Sequence, residues 1–255
     1  MDQIMRTPCQ GVSNIVRFNW HFYVLAGALI LASLVAGALL TTALFWLAFA
    51  LAMAISVSIG VSLLVSFYVY DCSQLYRFLW LKDIGQLNQG AIANIHAGFD
   101  ETSAFLKNYY AGCSLRVFDF YDPARHTEIS IERARKAYAP FEGTIKITTD
   151  RLPLVDGSMD IIFNIFALHE VRNRIECIQF LKRQLASLDK EGRCVVVEHL
   201  RDVPNFLAYN IGFLHFLSEA EWIGNFSMAG LVIERQFKIT SFITVFILKK
   251  NGNTH

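Results

Sequence analysis

Near its N-terminus the chain shows an almost uninterrupted apolar pattern. No Asp, Glu, Lys or Arg occurs between Arg17 and Asp71. A helix needs about 20 apolar residues to cross the hydrocarbon core of a bilayer. Residues 22–40 and 43–69 both reach that length, and almost no loop separates them. The pattern therefore predicts a transmembrane helical hairpin over residues 21–70, with the lipid bilayer as an expected partner.

Positively charged residues flank this hairpin on both sides. Arg6 and Arg17 precede it, Arg77 and Lys82 follow it, and its tip carries no positive charge. Because positive flanks stay on the cytoplasmic side of a membrane, we expect a two-helix membrane protein with both termini in the cytoplasm. Residues 1–20 then form a cytoplasmic N-terminal segment.

After the hairpin the apolar runs become short and alternate with helical patterns. Residues 71–85 are predicted to form an amphipathic connector along the membrane interface, and residues 86–255 a cytoplasmic domain. Alternating strands and helices are typical of βαβ units and a mainly parallel sheet. The predicted strands are residues 91–96, 114–120, 144–148, 161–167 and 194–199, and the predicted helices are residues 101–110, 129–138 and 172–188.

The C-terminal end breaks this alternation. Residues 231–240 and 241–250 are two β-rich runs with almost nothing between them. Such neighbours pair antiparallel, because a parallel crossover needs a dozen or more residues. The predicted fold class is therefore α/β: a doubly wound, mainly parallel seven-stranded sheet with a C-terminal antiparallel hairpin, preceded by the transmembrane hairpin.

Composition and charge narrow the range of functions. Hydrophobic residues make up 54% of the 255 residues, charged residues only 18%, and the net charge is +1. A chain without a basic surplus gives no reason to expect nucleic acid as a partner. The five cysteines are scattered and form no CxxC pair, so neither a disulfide framework nor a metal site is indicated.

Three segments of the predicted domain resemble class I S-adenosylmethionine-dependent methyltransferases. The segment DRLPLVDGSMD at residues 150–160 is similar to that family's LPF-x-D-G-S-F-D segment. The LHEV turn at residues 168–171 and the DKEGR turn at residues 189–193 resemble the family's turns after its fourth strand and before its fifth. The likeness spans residues 86–250 and is closest to quinone- and phenol-type enzymes. It implies S-adenosylmethionine as cofactor and a lipophilic small molecule as substrate.

The resemblance also implies where the cofactor binds. In doubly wound folds a ligand lies over the carboxyl ends of the strands. The family's first loop, acid-x-Gly-x-Gly-x-Gly, falls on Asn94, His96, Gly98 and Asp100, and of its glycines only Gly98 is present. Asn94, His96 and Gly98 are accordingly expected to contact the methionine part of the cofactor.

The remaining cofactor contacts implied by the resemblance follow the next strands. An acid at the end of the second strand accepts hydrogen bonds from the ribose hydroxyls, and either Asp119 or Asp122 can fill that role. Asp150 follows the third strand, on the adenine side. Leu152 and Phe166 complete the expected cofactor-binding set.

Candidate catalytic residues lie after the fourth and fifth strands. His169 and Glu170 follow the fourth strand, and His199 ends the fifth. A phenol or hydroxyl acceptor must lose a proton, and His is the usual base near neutral pH. An aromatic stretch over residues 204–226 either packs in the core or covers the substrate.

Three hypotheses for function remain at this point. The first is a membrane-anchored methyltransferase, and the second is a catalytically silent, membrane-anchored binding or scaffold protein that keeps the fold. The substituted first loop is the feature that keeps the second open. A nicotinamide-dependent oxidoreductase is less well supported, because no Gly-x-Gly-x-x-Gly loop follows a strand. The oligomeric state is not indicated.

Overall fold

A computed structural model describes residues 6–39, 41–125 and 128–252. Three helices come first along the chain. They are α1 (Gln10–Phe18), α2 (Trp20–Leu39) and α3 (Thr42–Phe67), and α3 continues into a π-helical turn at Tyr68–Cys72.

Helices α2 and α3 are long and apolar enough to cross a membrane. Their most apolar windows have a mean hydropathy of 2.3, and only 6% of each window is buried. Leu39 and Leu64 are 82% and 70% exposed. The core helix of a soluble protein would hide such residues, so these helices lack the packing of a core element. The two apolar helices predicted from the sequence are confirmed.

The described residues contain seven strands in one sheet. Their order is β3-β2-β1-β4-β5-β7-β6. Strands β1 to β5 pair in parallel, whereas β7 runs antiparallel between β5 and β6. This confirms the predicted fold class. The strands are β1 (Gly90–His96), β2 (Cys113–Asp119), β3 (Ile145–Lys146), β4 (Met159–Ile165), β5 (Leu188–His199), β6 (Leu231–Thr240) and β7 (Ile243–Lys250).

Helices cover both faces of the sheet. On one face, Phe180 of α6 and Trp222 of α8 pack in a core with Phe246 of β7. On the other face, Tyr110, which follows α4, packs with Phe163 of β4. These helices are α4 (Ser103–Tyr109), α5 (Ile129–Ala137), α6 (Arg174–Ser187), α7 (Val203–Tyr209) and α8 (Glu219–Ala229).

One strand is shorter than the sequence predicts. The third strand was predicted over residues 144–148, but only Ile145–Lys146 pair with β2, because Thr148 turns back to bridge Arg151. Residues 71–85, the predicted interfacial connector, bury apolar side chains against the sheet, where they complete its second core: Leu75, Phe78, Trp80, Leu81 and Ile84.

Helix α1 is attached to the end of α3 by a carboxylate. The backbone N–H groups of Gly11 and Val12 donate to Asp71 Oδ1 and Oδ2 at 2.7 and 2.9 Å. A helix N-terminus favours a carboxylate, because its first N–H groups have no partner within the helix. The approach is close: a Cβ at Gly11 would lie 2.4 Å from the Tyr70 Cβ. Helix α1 is thereby held across the end of the hairpin.

This close approach makes Gly11 sensitive to substitution. We expect Gly11→Ala to separate α1 from α3, at a cost of about 1–3 kcal/mol, which is typical of overpacking. Hydrogen exchange followed by mass spectrometry should show faster exchange in α1. Gly27→Ala in α2 is the control, since a Cβ there meets nothing within 4 Å. Equal exchange in both variants would show that α1 is not docked in solution.

Candidate functional site

A cavity of about 650 Å³ lies between the N-terminal helices and the carboxyl edge of the sheet. Strands β1 and β4 are neighbours there, and their connections leave in opposite directions, so this is the switch point of the sheet. Doubly wound folds bind ligands at that point. The sheet side supplies Ala97, Phe166, His169 and His199, and helices α2 and α3 supply the opposite wall.

His169 lies between two carboxylates at the edge of this cavity. Its Nδ1 is 2.6 Å from Glu198 Oε2, and its Nε2 is 3.1 Å from Glu170 Oε1. The neighbouring strands β4 and β5 bring these groups together, because Glu198 lies near the end of β5 and His169 in the turn after β4. Burial alone would lower the pKa of His169, but the two carboxylates raise it to about 10.

A second histidine joins the cluster from a distant segment. His215 ends a 3-10 turn at Asn210–His215, and its Nε2 is 3.3 Å from Glu170 Oε1. Its Nδ1 is 2.7 Å from Glu128 Oε1. Burial opposes a charge on His215, whereas the two carboxylates favour it and raise its pKa. Burial likewise opposes the charge of Glu170, but His169 and His215 hold its pKa well below the ordinary value.

His199 has a different environment. Its Nδ1 lies 2.9 Å from the Phe242 carbonyl oxygen, which can only accept, so Nδ1 carries the proton. Its Nε2 lies 2.9 Å from the Tyr70 hydroxyl and therefore accepts a hydrogen bond from it. Phe166 stacks on the ring. Burial lowers the pKa of His199 to about 4, so the imidazole is neutral at physiological pH.

The first loop is held mainly by hydrogen bonds within the chain. Asn94 Nδ2 donates to the hydroxyls of Thr102 and Ser103 at 2.9 and 2.8 Å. Asp100 Oδ1 accepts from the backbone N–H of Ser103 at the start of α4. Three buried atoms of this loop have no hydrogen-bond partner: Asn94 Oδ1, His96 Nε2 and Asp100 Oδ2. Such atoms are costly to bury without a partner.

Asp119 and Gly98 are joined through one arginine. Arg135 Nη1 donates to Asp119 Oδ2 at 2.5 Å and to the Gly98 carbonyl at 3.0 Å. Gly98 has a φ of +97°, and a Cβ on it would lie 2.9 Å from the Tyr121 Cγ. Glycine is therefore required at this position by packing within the chain.

Asn94, His96, Gly98 and Asp119 are not among the residues that line the cavity, although Ala97 and Phe99 of the same loop are, and three further expected cofactor residues also lie outside it. Asp122 accepts from the backbone N–H of Ala124 in a turn. Asp150 is fully exposed, with its pKa lowered mainly by the Thr148 hydroxyl. Leu152 packs against the hydrophobic core. Phe166 does line the cavity, in a left-handed conformation with φ of 51°.

Several polar residues of the site were not anticipated from the sequence. Glu128 and His215 come from loops with no recognisable motif, and each looks like an ordinary polar residue in its segment. Arg6 lines the cavity and forms a salt bridge with Glu101, with 3.1 Å between Arg6 Nη1 and Glu101 Oε1, although Arg6 lies outside the predicted methyltransferase-like domain. Tyr70 is the last residue of the predicted hairpin and was not singled out as a site residue. Glu198 was not anticipated either, although its position directly before the candidate His199 in the sequence was a usable signal.

Comparison with known proteins identifies the architecture. No family model and no curated protein matches the chain in sequence. A SAM-dependent methyltransferase from Aquifex aeolicus superposes with a TM-score of 0.53 and 14% identity, covering 75% of this chain and 97% of that one. A SAM-dependent methyltransferase from Methanosarcina mazei gives a TM-score of 0.50 and 15% identity, with 67% and 96% covered. The chain has the class I methyltransferase fold.

Burial of His199 makes the free energy of unfolding depend on pH. The folded protein protonates His199 only near pH 4, whereas the ordinary value is 6.5. The unfolded chain therefore binds the proton first, and stability falls as pH drops from about 6.5 to about 4. We expect a loss of roughly 3 kcal/mol over that range. Denaturant unfolding of the wild type and of His199→Gln, at pH 7.5 and 4.5, isolates this contribution.

His199→Gln keeps a polar side chain but does not titrate in this range. Other groups change charge equally in both proteins, so only the difference between them reports on His199. A difference that does not depend on pH would show that water reaches this imidazole in the folded protein.

Proposed function

We propose that this protein is a membrane-anchored S-adenosylmethionine-dependent methyltransferase that acts on a lipophilic acceptor, such as a phenol, a quinone or a lipid-like molecule. One observation carries the proposal. The cavity at the switch point of the sheet is bounded on its other side by α1 and by the membrane-length helices α2 and α3. One fold hosts many functions, so it is this site that supports the proposed function.

The residues around the first loop fit the cofactor. Asn94 Oδ1 is a buried acceptor without a partner, which suits the cofactor's amino group. Arg6 Nε and Nη2 are buried donors without a partner on a residue that lines the cavity, and they suit its carboxylate. Asp119 ends β2, the strand position that suits ribose hydroxyls. The bound cofactor supplies a methyl group on a sulfonium centre.

The ion pair at Asp119 must open when the ribose binds. Arg135 is 27% exposed and Asp119 only 4%, so the arginine is the partner that can turn toward solvent. Binding then exchanges an ion pair for hydrogen bonds from the ribose. We infer that Arg135 weakens cofactor binding and keeps the buried carboxylate paired in its absence.

His199 is the residue best suited to remove a proton from the acceptor. It lines the cavity, it is neutral, and its Nε2 is an acceptor toward Tyr70. An acceptor hydroxyl would pass its proton to the Tyr70–His199 pair as its oxygen takes up the methyl group, and the cofactor would leave as the neutral thioether. His169 is less suited to this role, because a carboxylate occupies each of its ring nitrogens.

The membrane helices account for a lipophilic acceptor. Phe22 and Tyr23 of α2 and Ile59 of α3 line the cavity, so a molecule dissolved in the bilayer has a short path to the site. Helix α7 and the 3-10 turn after it expose further apolar side chains, which we propose dip into the membrane interface: Phe206, Leu207, Ile211 and Leu214. Anchoring keeps the enzyme where its substrate is concentrated.

Cofactor binding tests the proposal directly. Calorimetry on the full chain in detergent should show micromolar binding of S-adenosylmethionine. Asp119→Asn should weaken it by about 10- to 100-fold, as expected for lost hydrogen bonds to a charged group, and Arg135→Gln should strengthen it. Asp122→Asn is the matched control and should change nothing, because Asp122 lies beyond the end of β2 and its carboxylate accepts from the Ala124 N–H in an exposed turn.

The acceptor is tested with the same preparation in lipid vesicles that contain an alkylated hydroquinone. His199→Gln should lower kcat by about 10²- to 10⁴-fold and leave cofactor affinity unchanged. Folded protein that binds no cofactor at millimolar concentration would favour the scaffold hypothesis. Cofactor binding without methyl transfer would reject only this acceptor.

Orientation in the membrane is a separate prediction. We propose that both termini and the catalytic domain are cytoplasmic, because the positive flanks of the hairpin lie at one end. In intact cells a membrane-impermeant maleimide should label a Thr41→Cys variant at the hairpin tip. It should reach the naturally exposed Cys9 only after permeabilisation, in a Cys72→Ser background. Labelling of both positions in intact cells would contradict the proposed topology.

A further inference from the structure

We propose that His169, Glu170 and His215 form a binding site for a divalent first-row transition metal ion. Each of the three residues offers one ligand atom, and these atoms lie within 4.8 Å of one another. Two imidazoles and one carboxylate with open positions are a recognised ligand set for such ions. All three residues line the cavity, so the open positions face its interior.

The spacing of the ligand atoms suits a single ion. Ligand atoms about 2.0–2.2 Å from one ion lie roughly 3.0–3.5 Å from each other. Glu170 Oε1 is 3.1 Å from His169 Nε2 and 3.3 Å from His215 Nε2. The carboxylate therefore sits between the two imidazoles at the required separation. Small side-chain rotations bring the two imidazoles onto one ion.

The partners of the two histidines provide an independent argument. His169 Nδ1 pairs with Glu198 at 2.6 Å, and His215 Nδ1 pairs with Glu128 at 2.7 Å. Metal-ligating histidines almost always donate their second ring N–H to a carboxylate, carbonyl or water, which fixes the tautomer and the ring orientation. Here both histidines have a carboxylate on Nδ1, and the Nε2 of each lies close to the same oxygen, Glu170 Oε1.

Arg172 is the residue that competes with an ion at this site. Its Nη2 lies 2.7 Å from His215 Nε2 and also contacts His215 Nδ1, and its Nη1 donates to the His215 carbonyl at 3.1 Å. Because the side chain is 47% exposed, an ion can displace the guanidinium toward solvent without disturbing the core. A neutral side chain at residue 172 should therefore strengthen ion binding. An ordinary ion-pair network would give no such effect.

The position of the site indicates a role in binding the acceptor, an extension that rests on the proposed function. His215 ends the 3-10 turn that follows α7, while His169 and Glu170 belong to the turn after β4. An ion between them would link the 3-10 turn at Asn210–His215 to the edge of the sheet. Its open positions suit an acceptor with oxygen donors, and a bound ion stabilises an ionised oxygen.

Metal binding is measured on the full chain in detergent, without S-adenosylmethionine. The background carries Cys9→Ser and Cys72→Ser, because both thiols are exposed and would bind soft ions. Calorimetric titration with Zn²⁺ and the visible absorption of Co²⁺ give two readouts. We expect one ion per chain, with binding abolished by Glu170→Gln or His215→Gln and strengthened by Arg172→Gln. Glu128→Gln should weaken it by about 10- to 100-fold.

Matched controls lie outside the cluster. His21→Gln and Glu132→Gln remove a histidine from α2 and an exposed acid from α5, and neither should change the affinity. Circular dichroism checks that each variant is folded. Absence of saturable binding in the wild type, or folded Glu128→Gln and His215→Gln variants that bind as tightly as wild type, would overturn the metal site. A separate titration of His215→Gln with S-adenosylmethionine keeps failure of the cofactor site distinguishable.

Discussion

Closure of the carboxyl edge of the sheet by the N-terminal helices is the constraint on which the site depends. The Asp71 carboxylate holds the N-terminus of α1, and the close contact at Gly11 lets α1 lie against the end of α3. Once the edge is covered, the polar side chains that end the parallel strands lose most of their contact with water. Each must then find a partner within the protein or in a ligand, and the pairs at this edge follow from that requirement.

That constraint produces two different polar environments within one cavity. Around His169 and His215, three carboxylates offset the cost of burying a positive charge, so both histidines keep theirs. Around His199, aromatic rings and a carbonyl leave burial uncompensated, and the imidazole stays neutral. One histidine in the turn after β4 and one at the end of β5 thus acquire opposite properties. The two proposed roles, proton acceptor for His199 and metal ligand for His169, rest on this contrast.

The substituted first loop is explained by the same packing. Where the family has glycines that admit a cofactor, this chain has His96 and a Gly98 that is packed by Tyr121. Arg135 pairs with the buried Asp119, the carboxylate proposed to bind the ribose. The unpaired atoms of Asn94, His96 and Asp100 remain beside it. In the proposed function the family's site is modified rather than lost, and cofactor binding displaces Arg135 from Asp119.

Periodicity by itself determined the apolar hairpin, the alternation of strands and helices and the terminal antiparallel pair, because each follows from local spacing of apolar residues along the chain. It also placed His169, Glu170 and His199 at one edge, since the ends of parallel strands meet there. It did not reveal that Glu128, His215, Arg6 and Tyr70 join them, or that residues 71–85 pack on the sheet. Those contacts join segments far apart in sequence, and only tertiary packing, which decides what is buried and what it must pair with, brought them together.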